Sequence, residues 1–287
     1  MSQTTYLNDI INPQVMGDMI EAKLPHMIRF TPFAKVDNSL VGVPGDTKTV
    51  PSWNFVGAAE DLAEGGELAT RKLTASTAEF TIKCAGISVG LSQKSINSGL
   101  GDPVGAAESQ LAKSIAVKVD ADVLAALLTA SQTYDGSASA IKYAGIVDAV
   151  AVLNEEEITD KVLFVNPAQV ASLRKDSDFM DRNKYGNDVM VSGEIGMIAG
   201  CRIVPSHQIV KNESGNYVCP LVKLEPASTE TEYAETELPA VTIFLKADTQ
   251  VDHEWFPKKQ VHDITATKYY GAALTNASKV VLATFKG

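Results

Sequence analysis

The chain has 287 residues, with Lys+Arg 25 against Asp+Glu 35 for a net charge of −10, and it carries 45% hydrophobic and 21% charged residues. That balance excludes wholesale disorder, and the acidic surplus excludes a dedicated nucleic-acid-binding module, whose footprint is a concentrated excess of Lys and Arg. The scattered Cys84, Cys201 and Cys219 offer neither a disulfide framework nor zinc spacing, and no apolar run reaches the length of a membrane span.

The length suits about two domains. Residues 1–45 read as an arm. Asn12-Pro13 is suited to open a short helix through Lys23, with asparagine capping and proline in the first turn. Pro25, Pro32 and Pro44 then interrupt regular structure. Between them the apolar Met27, Phe30 and Phe33 sit in a segment too broken to build a core, so these three are expected to lie on a surface, of this chain or of a neighbour.

Residues 46–92 read as a long two-stranded excursion, alternating in the strand period over 48–55 and again over 78–84 and 87–89. Its polar tip carries Glu60, Asp61, Glu64 and Glu67, followed by Arg71 and Lys72. A ribbon this long is marginal by itself in water and is expected to dock. Those six charged residues are therefore candidate inter-subunit contacts. Exposed ion pairs contribute about 0–1 kcal/mol each, so their expected role is register rather than strength.

A long helix is expected over 102–130, opened by Asp102-Pro103, with Glu108 near its positive end. Leu111, Ile115, Val119, Val123 and Leu127 form one apolar stripe, and Val117, Leu124 and Leu128 a second. A helix of that kind is buried on more than one side. After a turn around Tyr134-Asp135-Gly136-Ser137 the pattern becomes α/β: a helix over 146–153, a buried strand over 162–165, and a helix started by Asn166-Pro167. Strands are then expected over 197–204, 217–224, 240–246, 250–256, 264–270 and 279–285, with a solvated acidic loop over 225–237.

Chemistry-bearing motifs are few. Gly86-Ile87-Ser88-Val89-Gly90 fits the G-x-S-x-G pattern of serine hydrolases, with Asp248, Asp252, His253 and His262 downstream. That chemistry needs the serine on a sharp strand-to-helix turn beside an oxyanion hole, whereas extended alternation continues on both sides of Ser88. Glycines marking a bend or close packing within a strand are the simpler reading. The histidines are dispersed without ligand spacing, and no phosphate-binding loop is present. No catalytic residue, metal or cofactor is expected.

The order of parts, and four stretches in particular, resemble the tailed-bacteriophage major capsid protein family, the Hong Kong 97-type fold. These are the return strand into Ser92-Gln93-Lys94-Ser95; Val162-Leu163-Phe164-Val165-Asn166-Pro167; Gly200-Cys201-Arg202-Ile203-Val204-Pro205-Ser206; and the ending through Tyr269, Gly271, Ala272 and Asn276-Ala277-Ser278 to Val280 and Leu282. The resemblance implies an α+β fold: an N-terminal arm (1–45), an extended β-hairpin loop (46–92), a peripheral domain with a long spine helix (93–135), an axial α/β domain (136–239) and returning peripheral strands (240–287). It implies a non-enzymatic protein whose copies form hexamers and pentamers of an icosahedral shell around double-stranded DNA. The contact with that DNA would be non-specific, with Lys23, Arg29 and Lys35 of the arm facing it. A separate scaffolding protein and a portal are implied partners, no membrane is, and synthesis is expected in the bacterial host cytoplasm. An encapsulin-type compartment shell is the alternative of the same fold, and a hydrolase using Ser88 the alternative of a different class.

Overall fold

The computed structural model describes residues 4–5, 28–53, 70, 72, 75–98, 101–155, 159–175, 197–224 and 238–287. The arm helix expected at 12–23, the acidic loop 225–237, and Met27, Glu60, Asp61, Glu64, Glu67 and Arg71 lie outside these residues.

The long helix of the described residues is α2 (Pro103–Leu127), which follows the brief α1 (Gln93–Ser98). The Asp102 side chain accepts from the backbone N–H groups of Val104 and Gly105, both at 3.1 Å, and Pro103 fills a position where no N–H is needed. Leu111, Ile115, Val119, Val123 and Leu127 recur every four residues and are all buried. The second expected stripe is only partly internal: Leu124 is buried, but Leu128 lies past the helix end at 43% exposure. Glu108 sits beyond the first turn, where the dipole is weak, and instead contacts His253.

One side of α2 packs on a five-stranded sheet of order β1-β5-β12-β11-β2, formed by β1 (Thr4–Thr5), β2 (Lys35–Asp37), β5 (Lys83–Ser92), β11 (Val241–Phe256) and β12 (Val261–Leu274). The segments expected as separate strands at 240–246 and 250–256 are one strand, β11, with register shifts between Leu245 and Gln250 where Asp248-Thr249 bulges. The excursion of 46–92 is shorter as a ribbon than its alternation suggests. Only β3 (Thr47–Trp53) and β4 (Ala75–Thr81) form the two-stranded pair, while β5 runs antiparallel to β12 inside the larger sheet. The crossing between them is close: a Cβ on Gly271 would meet the Thr81 carbonyl oxygen at 3.0 Å.

The second sheet has the order β6-β13-β10-β7-β9-β8, from β6 (Gln132–Gly136), β7 (Lys161–Val165), β8 (Met197–Ile198), β9 (Cys201–Pro205), β10 (Asn216–Lys223) and β13 (Val280–Lys286). Every residue of β7 is buried, as its unbroken apolar run requires. Helices α3 (Tyr143–Ala151) and α4 (Pro167–Leu173) accompany this sheet; α4 starts at a capping box in which Asn166 bonds the Ala168 N–H and Gln169 reaches back to the Asn166 N–H. Strands β8 and β9 join through Ala199-Gly200, both with positive φ (50° and 75°), a turn that suits Gly200 far better than Ala199. Residues 132–136 form a strand parallel to β13 rather than a turn, and β13 lies inside this sheet rather than with the returning strands β11 and β12. One continuous apolar core joins the first sheet, α2 and the second sheet.

Lys161, at the start of β7, is only 4% exposed, and its charge is matched by Glu155 at 2.5 Å; Lys223 contacts the same carboxylate at 2.9 Å. Burial pushes the Glu155 carboxyl up, but the hydrogen bonds from Lys161, Lys223 and Thr159 outweigh it and hold the carboxyl below its ordinary value of 4.5. The stability this contributes is complete above pH 4.5 and is lost as pH falls through the folded-state value. Urea denaturation of Lys161→Met should therefore show lower stability at pH 7 and a shallower loss on acidification below 4.5 than the parent. Parallel stability curves for the two proteins would remove this pair from the acid response.

Candidate assembly surfaces

Among the described residues no group of His, Cys, Asp and Glu is placed to hold a metal, and no helix is long and apolar enough to cross a membrane. Ser88 lies in mid-strand in β5, 3.3 Å from the Thr265 hydroxyl. The downstream histidines are engaged elsewhere: His253 with Glu108 at 2.7 Å, and His262 with Gln93 at 2.9 Å while its ring lies tilted against Trp255 at 4.2 Å between centres. A serine nucleophile needs a histidine base and a strand-to-helix turn, and Ser88 has neither.

The surfaces are more informative. Directly opposed residues of an antiparallel pair share a face, so the five-stranded sheet sorts cleanly. One face carries Lys83, Val89, Leu91, Ile264, Ala266 and Tyr270 and is covered by α2. At one end of the opposite face, Phe244 and Ala273 are covered by Leu40, Phe80 and Ile82, with Phe80 stacked on Phe244 at 5.6 Å between ring centres. Beyond that cluster the face is open. It presents Cys84 opposite Tyr269, Ser88 opposite Thr265, and the acidic Asp252, Glu254 and Asp263. Glu254 lies directly across from Asp263, whose other neighbour is Gly90, so like charges are paired with no cation between them in the ladder.

The outer edge of β11 is open as well. Strand β2 pairs only with Thr242, Ile243 and Phe244, and among the described residues no strand lies against 250–256. Val251 and Trp255 on this edge strand are 40% and 41% exposed. A strand edge with unpaired backbone groups and apolar side chains is a template for another strand.

The described part of the arm finds its surface on its own chain. Phe30 is 1% exposed and packs on Phe164 of β7 at 4.5 Å between ring centres, with Phe33 against the same ring at 5.4 Å. The segment is held by Asp120 of α2, which is wholly buried and accepts hydrogen bonds from the backbone of Arg29, Phe30 and Thr31. Sequence reasoning passed over Asp120; its only signal is an acidic residue four positions before Leu124 on a buried side of the helix. Lys72 is exposed, and the arm and loop candidates outside the described residues stay as sequence expectations.

The three thiols differ sharply in setting. Burial pushes the Cys201 thiol up to about 11 and the Cys219 thiol up to about 12, whereas Cys84 is exposed on the open sheet face. Iodoacetamide at pH 7 should add one group to the native chain, at Cys84, and three in denaturant. Modification of all three thiols without denaturant would contradict this arrangement.

Comparison with known proteins gives one consistent result. A family model described as phage capsid protein matches residues 75–282. The chain is 31% identical over 276 residues to the major capsid protein of Staphylococcus phage phiMR11, covering 96% of this chain and 93% of that one. Three solved capsids share the fold at low identity. The capsid of an empty GTA particle aligns with a TM-score of 0.71 at 14% identity, covering 100% of this chain and 94% of that one. The capsid of cyanophage Pam1 gives 0.70 at 13% with the same coverage. The mature capsid of bacteriophage PhiM1 gives 0.70 at 11%, covering 90% and 87%. With one apolar core joining two sheets and a long helix, an open strand edge, and a family match over most of its length, the chain belongs to the phage capsid protein family, a family of virion structural proteins rather than enzymes.

Proposed function

We propose that this chain is the major capsid protein of a tailed phage and that its copies close into an icosahedral shell of hexamers and pentamers around double-stranded DNA. The observation that carries this reading is kinship along nearly the whole chain with a phage major capsid protein. In this reading the fold is of the Hong Kong 97 type. The five-stranded sheet with α2 is the peripheral domain, and the six-stranded sheet is the axial domain around the five- and six-fold axes. Residues 1–45 are the arm, and the extended loop begins and ends with the β3–β4 ribbon inside 46–92. Synthesis takes place in the bacterial cytoplasm, with a separate scaffolding protein and a portal as partners. The matches favour this reading over a compartment shell or a hydrolase.

The loop of one copy lies over its neighbour, and the open edge of β11 supplies a matching surface. Asp252, Glu254 and Asp263 on the open face are complementary to Arg71 and Lys72, and Val251 and Trp255 offer apolar contact on the other side of the same strand. Such rim charges set register and partner choice more than affinity. Heterologous contacts of this kind, repeated with a closing rotation, generate closed assemblies.

The test is a charge exchange read by negative-stain microscopy of the chain expressed with its scaffolding protein. The parent should give closed icosahedral particles. Asp252→Lys with Glu254→Lys should abolish them while the circular dichroism of the subunit is unchanged, and adding Arg71→Glu with Lys72→Glu should restore them. Intact shells from the first variant would exclude the acidic edge as the docking surface, and an absence of shells from the parent would exclude the capsid reading itself.

A further inference from the structure

Asp120 presents an unusual concentration of donors to one carboxylate. It is 0% exposed in the middle of α2. Oδ1 accepts from the backbone N–H of Arg29 at 3.1 Å, of Phe30 at 2.8 Å and of Thr31 at 2.8 Å, and from the Thr31 hydroxyl at 2.9 Å. Oδ2 accepts from Arg29 N–H at 3.0 Å and from Gln208 Nε2 at 2.9 Å. Three consecutive backbone N–H groups converging on an anion form a nest, here filled by a side chain about 90 residues distant in sequence.

The same carboxylate joins parts that have no ladder to each other. Residues 29–31 open a short turn, Thr31–Phe33, whose first residues have no capping side chain of their own; Asp120 supplies that cap from another element. From there the chain runs through β2, which pairs with β11, to Gly45 and Asp46, both bonded by Lys246. The next residue, Thr47, begins the β3–β4 ribbon, and Asp46 also accepts from the Ile82 N–H at its return. On the other side, Gln208 belongs to the 206–210 loop that follows β9. That loop is otherwise tied by Ser206 N–H to the Val165 carbonyl at 2.8 Å and by Asn166 Nδ2 to the Ile209 carbonyl at 2.7 Å. The strap of residues 29–31 and the loop of the six-stranded sheet therefore share one acceptor.

We propose that Asp120 is a latch: it couples the position of the 29–31 strap, and through it the base of the projecting ribbon, to the 206–210 loop of the six-stranded sheet. Loosening either side of the latch loosens the other. The latch is a polar tie added to the one apolar core that the sheets share, in which Ile264 and Tyr270 on one side and Leu163, Leu221 and Val281 on the other are buried. This is a conformational device in the unassembled subunit and does not rest on the docking surface proposed above.

Coupling of this kind is reciprocal, which gives it a readout that a purely local hydrogen bond does not have. Hydrogen exchange with mass spectrometry on the full-length unassembled chain compares the parent with Gln208→Ala, a change confined to the loop. The 28–34 peptide should exchange about tenfold faster in this variant, the size expected when one hydrogen bond to a charged acceptor is removed, while peptides from β7 and β12 are unchanged. Thr31→Val, confined to the strap, should in turn speed exchange in the 206–210 peptide. Asp120→Asn should release both segments together, and the two single variants carry the test if that substitution prevents folding. Unchanged strap exchange in Gln208→Ala, or unchanged loop exchange in Thr31→Val, would overturn the coupling.

Discussion

One helix has to be held in a fixed register in a core that runs on from one sheet to another, and the rest of the molecule is arranged around that requirement. A sheet with one covered face needs a partner layer; α2 is that layer for the five-stranded sheet, and its apolar side chains belong to the core that continues into the six-stranded sheet. Hydrophobic burial alone would fix neither its rotation nor its axial position, because its apolar side chains extend around much more than one stripe. Two carboxylates supply the register. Asp120 and Asp122 are two residues apart, hence about 200° apart around the helix axis, and they point to opposite sides. Asp120 engages the strap and Gln208; Asp122 engages Lys83 at 2.8 Å, Lys118 at 3.1 Å and the Tyr270 hydroxyl of the five-stranded sheet. Burial pushes the Asp122 carboxyl up, but the bonds from Lys83, Tyr270 and Lys118 prevail and hold it below its ordinary range, so it stays charged at neutral pH. A rotation of the helix by one residue would break both sets of bonds at once.

What the sequence makes legible is local. Asp102-Pro103 followed by an apolar residue every fourth position specifies α2, and Asn166-Pro167 after an unbroken apolar run specifies β7 and α4, because cap chemistry and periodicity are decided within a few residues. What it hides is long-range. The Tyr134-Asp135-Gly136-Ser137 stretch has turn composition, yet among the described residues β6 is an edge strand paired with β13, and that pairing overrides propensity. The place of β13 between β6 and β10 depends on a chain return that no window of sequence contains. The bulges of β11 look like a break for a similar reason: Asp248-Thr249 disturbs the alternation, while the ladder to β12 resumes beyond it. Asp120 was the costliest omission, since a lone acid within an apolar helix reads as a solvated face until its partners from residues 29–31 and 208 are known.

The open surfaces follow from the same economy of side chains. Glu254 facing Asp263 across a strand pair is unfavourable within one subunit, and an edge strand with exposed Val251 and Trp255 invites pairing. Taken together the two features are selective. Two copies bringing the same β11 edges together would set Asp252 and Glu254 of one against those of the other, which repels the symmetric contact. A basic strand meets no such penalty. An arrangement of this kind disfavours a two-fold contact through the β11 edge.

The order in which these parts come together is constrained by the separation between strap and helix. Closing a loop of about 90 residues costs on the order of 4 kcal/mol in chain entropy, more than one hydrogen bond to a carboxylate contributes at about 1.5–3 kcal/mol. The strap therefore gains little by docking one bond at a time. It gains when all its donors meet an acceptor already in place. That acceptor is presented once α2 has formed, and its far oxygen is filled when the 206–210 loop brings up Gln208, which in turn needs β7 and β9 paired, since Ser206 and Ile209 hang from Val165 and Asn166. Phe30 and Phe33 likewise have a surface only once Phe164 is set in β7. Docking of the strap of residues 29–31 is thus favoured on sheets that are already built, because only there do all its donors and both phenylalanines find their partners together.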